Sequence, residues 1–243
     1  MSHKPNIAFI GDTHGHNEPA VKRVLSLNTP PTIALHVGDF DADSPLPSLY
    51  QGLVKAGIDF WWVHGNHDVD REYWYDNTLG SAWSSRCLHA RVIDHHGVKI
   101  AGLGGHFVEK VWHPEMGSPR FASRKDYLAS CGKGNLWRGG LPRKVRGAIW
   151  WEDVERLWDQ TADILITHEA PTPHHYGHSV IAELAEAMGA SLIVHGHMHE
   201  SYDAMTPGGI AVIGLGLSEV RSVQVCTDGI DVQLLSEDRI RQP

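Results

Sequence analysis

Cysteine is scarce in this chain. The three present, Cys87, Cys131 and Cys226, are widely spaced and odd in number, which argues against a disulfide framework and suits a reducing compartment. Long apolar runs are also lacking: the longest, residues 208–217, has ten residues and is too short to cross a bilayer. The opening residues lead into only four apolar positions, so no secretory signal is expected and the expected location is cytoplasmic. Positive charge is the minority sign, with 21 Lys and Arg against 29 Asp and Glu, which argues against extended binding to duplex nucleic acid. There is no Gly-x-Ser-x-Gly elbow, no phosphate loop ending in Gly-Lys-Ser/Thr and no His-Glu-x-x-His. Repeats and low-complexity tracts are absent, and an apolar share of 42% excludes wholesale disorder.

Histidine, by contrast, is abundant. The chain holds 18, none in a tag-like run, and seven fall between His168 and His199. Imidazole is the commonest metal ligand, so composition alone favours a metal site.

Short apolar runs alternate with amphipathic stretches. Residues 7–10, 32–37 and 59–63 read as strands, with helices expected over residues 18–25 and 48–56. A hairpin is expected over residues 90–102 around His96-Gly97, then a helix at 152–160, a strand at 163–167, a helix at 180–188 and a strand at 191–194. The C-terminal part reads as antiparallel, pairing residues 201–205 with 210–214 and residues 222–226 with 230–235. This is the pattern of an α/β fold with crossover helices, and 243 residues without a linker suit a single domain spanning 1–243. Residues 106–147 break the rhythm. That stretch is rich in Gly, Pro and Ser and carries nine basic residues against three acids, a net of +6 in a chain of net −8. A long irregular insert in a compact domain is usually functional.

Strand ends carry the chemistry. Asp12-Thr13-His14 follows the first strand, Gly38-Asp39 the second and Gly65-Asn66-His67-Asp68 the third. His168 follows the strand at 163–167, and His195-Gly196-His197-Met198-His199 ends the one at 191–194. Ligands of open α/β sheets bind beyond the carboxyl ends of strands, so these groups converge although they are far apart in sequence. Carboxylate, amide oxygen and imidazole suit manganese, iron or zinc better than calcium.

The order Asp-x-His, Gly-Asp, Gly-Asn-His-Asp, isolated His and Gly-His-x-His resembles the calcineurin-like metallophosphoesterase superfamily. The resemblance implies two packed β-sheets flanked by helices, a four-layer sandwich, with a dinuclear centre at the strand ends. It implies that Asp12, His14, Asp39 and His199 hold one ion, and that Asn66, His168 and His197, with Asp39 bridging, hold the other. The ions expected are two divalent or mixed-valence transition metals, manganese first, with iron, zinc or nickel as alternatives. The implied activity is hydrolysis of a phosphomonoester or phosphodiester by in-line attack of a metal-bridging hydroxide, with His67 assisting the leaving group. Related phosphatases continue the second motif as Gly-Asp-x-x-Asp-Arg-Gly. Here Ala42 replaces the carboxylate that orients the imidazole, and Asp43 replaces a phosphate-gripping arginine. Asp41, Asp68 and Asp70 are the candidates for the first role, and His67 with Asp68 makes the expected catalytic pair. For the second role the basic insert is the source, through Arg120, Arg124, Arg138, Arg143 or Arg146, with His106 as a further substrate contact. Trp112 and Trp137 interleave with those charges, so a nuclease acting on single-stranded nucleic acid is the alternative reading. A binding scaffold that lost catalysis is disfavoured by the intact ligand set. The expected partner is a phosphate-ester substrate, with no membrane involved.

Overall fold

The computed structural model describes residues 5–225. Its strands are β1 (Asn6–Ile10), β2 (Ile33–His36), β3 (Asp59–Trp62), β4 (Arg91–His95), β5 (Val98–Leu103), β6 (Ile164–Thr167), β7 (Leu192–His195), β8 (Tyr202–Met205), β9 (Ala211–Gly214) and β10 (Val220–Gln224). The helices are α1 (Asn17–Leu25), α2 (Leu46–Lys55), α3 (Glu72–Asn77), α4 (Arg124–Ser130), α5 (Trp151–Trp158) and α6 (Ser179–Met188). Two sheets result, one ordered β10-β1-β2-β3 and the other β4-β5-β6-β7-β9-β8. Within them β1-β2-β3 and β5-β6-β7-β9 run parallel, while β10, β4 and β8 pair antiparallel at the edges.

The layering follows from the pleat, because successive strand side chains point to opposite faces. In β1, Ile7 and Phe9 join Ile33, Leu35, Ile100, Ile166 and Val194 in the core between the sheets. Ala8 and Ile10 face the other way, onto Ala20 and Val24 of α1 and Leu46 and Leu53 of α2. The second sheet repeats the arrangement, with Leu165 and Ile193 packing against Val154 and Leu157 of α5 and Ile181 and Leu184 of α6. Helix, sheet, sheet and helix thus make four layers, as the resemblance implied. Strands buried on both faces explain why the sequence shows continuous apolar runs rather than alternation.

The hairpin β4–β5 forms in the expected register, Ile93 opposite Ile100, with left-handed backbone at His96 (φ 53°) and Gly97 (φ 83°) closing the turn. At the C-terminal end, β10 pairs with β1, placing Asn6 opposite Gln224. The expected partner strand at 230–235, like Cys226, lies outside the described residues. The insert is less irregular than its composition suggests. It holds α4, where the Ser123 hydroxyl oxygen accepts the Asp126 amide (3.2 Å), and short 3-10 turns such as Arg143–Gly147. Phe107, Val111, Trp112 and Val145 anchor it in the α5–α6 core, so Trp112 is packing material. Among the described residues no helix is long and apolar enough to cross a membrane.

Candidate metal centre

The loops after β1, β2, β3, β6 and β7 meet at one edge of the inter-sheet core. Backbone bonds stitch them together: the amides of Thr13 and His14 donate to the Asp39 carbonyl (3.1 and 3.0 Å), and the Ser218 amide donates to that of Asp12 (2.8 Å). Close approach requires glycine. A Cβ on Gly65 would stand 2.1 Å from Asp39 Oδ1, and one on Gly196 2.1 Å from Asp12 Oδ1. His14, Asp39, Asp41, His197 and His199 all have positive φ, from 40° to 65°. Such backbone costs on the order of 1–3 kcal/mol per residue and persists only where surrounding structure enforces it, commonly at functional sites.

All seven expected ligands lie together. Asp12, Asp39 and His168 form a buried floor, while His14, Asn66, His197 and His199 are partly exposed or exposed at the mouth. On one side His199 Nε2 approaches Asp12 Oδ2 (3.2 Å) and His14 Nε2 (3.0 Å). On the other, His168 Nε2 faces Asn66 Oδ1 (3.0 Å) and Asp39 Oδ2 (3.4 Å). The same Asp39 oxygen is 3.9 Å from His14 Nε2, so it stands between the two groups. The other Asp39 oxygen accepts the His67 amide (2.8 Å). His168 Nδ1 lies 2.9 Å from the Val37 carbonyl, which fixes that nitrogen as the donor and leaves Nε2 for the centre.

These donors fit metal ions. Carboxylate and imidazole atoms form close three-residue groups, Asp12 with His14 and His199, and Asp39 with His168 and His197. Asp12 Oδ1 is buried without a hydrogen-bond partner among the described residues, a costly condition that a cation would relieve. Burial opposes charge on His168, but the Asp39 and Asp12 carboxylates outweigh it and push its pKa up to about 10. Asp39 is held well below the usual carboxylate range, burial being overcome by His168 and by the His67 amide. Burial and the nearby His168 charge instead push His197 down to about 3, which keeps its ring neutral.

His67 stands at the rim with its side chain 40% exposed. Its Nδ1 lies 3.8 Å from Asp41 Oδ1 and 3.8 Å from Asp70 Oδ2. Asp41 also reaches back through Oδ2 to His14 Nδ1 (3.1 Å), so one carboxylate faces both His14 and His67. Asp68 does something different from the expected catalytic pairing. It is fully buried, and its oxygens accept the amides of Asp39 (3.1 Å), Phe40 (2.9 Å) and Gly65 (2.8 Å). It clasps the two loops and leaves His67 to its neighbours.

The insert arginines also differ from expectation. Arg124 is paired with Glu152 (2.7 Å) and Asp153 (2.7 Å), and Arg138 with Glu72 and Asp76. Arg146 donates to the Leu141 carbonyl (3.1 Å), the Tyr75 hydroxyl (2.9 Å) and the Trp137 carbonyl (3.0 Å). These three guanidinium groups hold the insert to the body, which corrects the expectation that they grip phosphate. Arg120 is exposed and Arg143 half-buried, on the same segment. His106 is mostly buried, its Nδ1 lacks a partner among the described residues, and burial beside His168 pushes it down to about 4. Sequence reasoning missed Glu169, a buried carboxylate whose Oε2 lies 3.9 Å from His197 Nε2 while Oε1 accepts the Phe107 amide. Its place directly after His168 was the available signal.

Residues 5–201 match the calcineurin-like phosphoesterase family. The chain belongs to that family. It is therefore a metal-dependent phosphoesterase by descent and by the donors it assembles. A protein of Haemophilus influenzae, described as uncharacterized, is 36% identical over 221 residues, covering 90% of this chain and 94% of that protein. Among solved structures, a dimetal phosphatase from Danio rerio superposes with TM-score 0.61 at 14% identity, covering 92% of this chain and 93% of that one. A Thermus thermophilus protein superposes at 0.60 with 16% identity, over 90% of this chain and 94% of its own. At such identities these likenesses show a shared fold.

Proposed function

We propose that the chain is a dinuclear phosphoesterase that hydrolyses a phosphomonoester or phosphodiester by in-line displacement. The observation that carries this reading is the position of Asp39 Oδ2, between His14 on one side (3.9 Å) and His168 on the other (3.4 Å). One carboxylate oxygen between two donor groups is the arrangement a pair of neighbouring cations needs. Two divalent or mixed-valence transition ions, manganese foremost, would supply positive charge that stabilises the phosphoryl oxygens and acidifies a nucleophilic water.

The chain's own residues divide the remaining work. Asp12, His14 and His199, with Asp39, form one donor set; Asn66, His168 and His197, with Asp39, form the other. His67 presents Nδ1 to Asp41 and Asp70, so Nε2 on the opposite edge of the ring is left to give a proton to the departing alkoxide. A positioned acid of this kind contributes roughly 10²–10⁴-fold. Asp68 and the glycines at 65 and 196 keep the loops close enough for the donors to meet.

The test pairs metal analysis with kinetics on p-nitrophenyl phosphate and bis-p-nitrophenyl phosphate. Asp39→Asn should lower bound metal and nearly abolish turnover of whichever ester the native protein cleaves. Two ions retained with full activity would overturn the reading. A single-stranded oligonucleotide in the same panel tests the nuclease alternative.

A further inference from the structure

A connected hydrogen-bond network lies beneath the first two ligand loops. Four buried polar side chains make it: Thr13 from the loop after β1, Asn17 at the start of α1, His36 at the end of β2 and Tyr50 in α2. The Phe40 carbonyl can only accept, so the Asn17 side-chain nitrogen faces it and donates (3.0 Å). Asn17 Oδ1 then accepts two hydroxyls, from Thr13 (2.8 Å) and from Tyr50 (2.7 Å). Burial holds His36 well below the usual imidazole pKa, so its ring is neutral. The Gly38 amide donates to His36 Nδ1 (3.1 Å), which leaves the ring proton on Nε2 to be donated to Thr13 Oγ1 (3.3 Å).

The network brackets ligands without touching their donor atoms. Thr13 stands between Asp12 and His14, while Gly38 and Phe40 stand on either side of Asp39. His36 also stacks on Phe40, with ring centroids 3.8 Å apart. His14 and Asp39 both carry left-handed backbone, φ 40° and 55°, which persists only where surrounding structure enforces it. Asn17 joins the residue before His14 to the residue after Asp39, so it ties the two strained positions together. None of these bonds goes to the loops that supply Asn66, His168 and His197. Asp39 has a second hold, because Asp68 accepts its amide (3.1 Å) and that of Phe40 (2.9 Å). Cutting the network therefore falls hardest on Asp12 and His14.

Resting on the dinuclear reading, we propose that Thr13 and Asn17 are positioning residues for the ion held by Asp12, His14 and His199, and that they set its affinity apart from that of the second ion. The hydroxyl and the amide act through the backbone beside the ligands and touch neither metal nor substrate.

Equilibrium dialysis of the full chain, stripped by chelation, against graded Mn(II) tests this, with bound ions counted per chain by atomic emission. The native protein should take up two ions. Thr13→Val keeps the branched shape and removes the hydroxyl. It should weaken one ion by about tenfold, the low end for groups that orient ligands from behind, and the other by less than about threefold. Thr13→Ser should hold both ions as the native protein does. Adding Thr13→Val to His197→Ala should leave neither ion tightly bound, whereas adding it to His199→Ala should leave one. Val24→Ala, in the same core but outside the network, should lower stability in urea without separating the two affinities. Equal weakening of both ions in Thr13→Val, the same separation in Val24→Ala, or no rescue by serine would overturn the proposal, while two ions in the native protein uphold the dinuclear reading. If Thr13→Val does not fold, Tyr50→Phe, which removes one bond to Asn17, should separate the affinities by about threefold, and no separation there would overturn the proposal equally. Uptake of fewer than two ions by the native protein would count against the dinuclear reading and remove this inference with it.

Discussion

Replacing Asp41 with asparagine isolates the carboxylate shared by an expected metal ligand, His14, and the expected acid, His67. Asparagine matches its shape and tolerates the left-handed backbone at this position, φ 45°, so strain is not introduced. What is lost is the charge facing His14 Nδ1 at 3.1 Å and His67 Nδ1 at 3.8 Å. The first contact is a hydrogen bond of good length, and a partner of this kind behind a ligating imidazole is worth about 10- to 100-fold in metal affinity. The second is longer, and Asp70 faces the same nitrogen at 3.8 Å. Asp41→Asn alone should therefore lower kcat at saturating metal by less than about tenfold, below the roughly 1.5–3 kcal/mol of a full hydrogen bond to a charged group, because the contact is long. Asp41→Asn combined with Asp70→Asn should approach the loss seen for His67→Ala, roughly 10²–10⁴-fold. The assay is a metal titration followed by kcat on esters with good and poor leaving groups. Unchanged metal affinity in Asp41→Asn would refute its role behind His14. An undiminished kcat in the double variant would refute the orientation of His67 by these carboxylates.

Gly65→Ala should destabilise the chain by about 1–3 kcal/mol and lower metal content, since the new methyl would stand 2.1 Å from Asp39 Oδ1 and 2.6 Å from His168 Cε1; urea unfolding should show no comparable loss for Gly134→Ala, where nothing lies within 4 Å. Metal loading at pH 8 should acidify a weakly buffered solution, because His168, with burial outweighed by Asp39 and Asp12 so that its pKa reaches about 10, must release its proton to bind. Burial disfavours charge on Asp153, yet His89 and Arg124 hold its pKa well below the ordinary carboxylate range. Its stabilising contribution is therefore present above the unfolded carboxylate pKa of about 3.9 and fades as pH falls through the folded value, so Asp153→Asn should flatten the acid limb of a stability–pH curve.

The sequence by itself determined the layered α/β fold and the gathering of seven donors. The reason is geometric: in a parallel sheet all carboxyl ends lie at one edge, so residues placed just after apolar runs meet there, however far apart along the chain. Asp12, Asp39 and His168 could be located from that rule and from their motifs. Tertiary structure alone decided which carboxylates face His67. Asp41, Asp68 and Asp70 are equivalent in composition, and left-handed backbone at Asp39 and Asp41 turns one toward the rim while Asp68 is drawn under the loops by three amides. Tertiary structure also decided the fate of the insert's charge. An arginine binds whichever acceptor folding brings within reach, and Glu72, Asp76, Glu152 and Asp153 lie outside the basic segment at 106–147. Net charge is a property of composition, whereas the partner each cation finds is a result of packing.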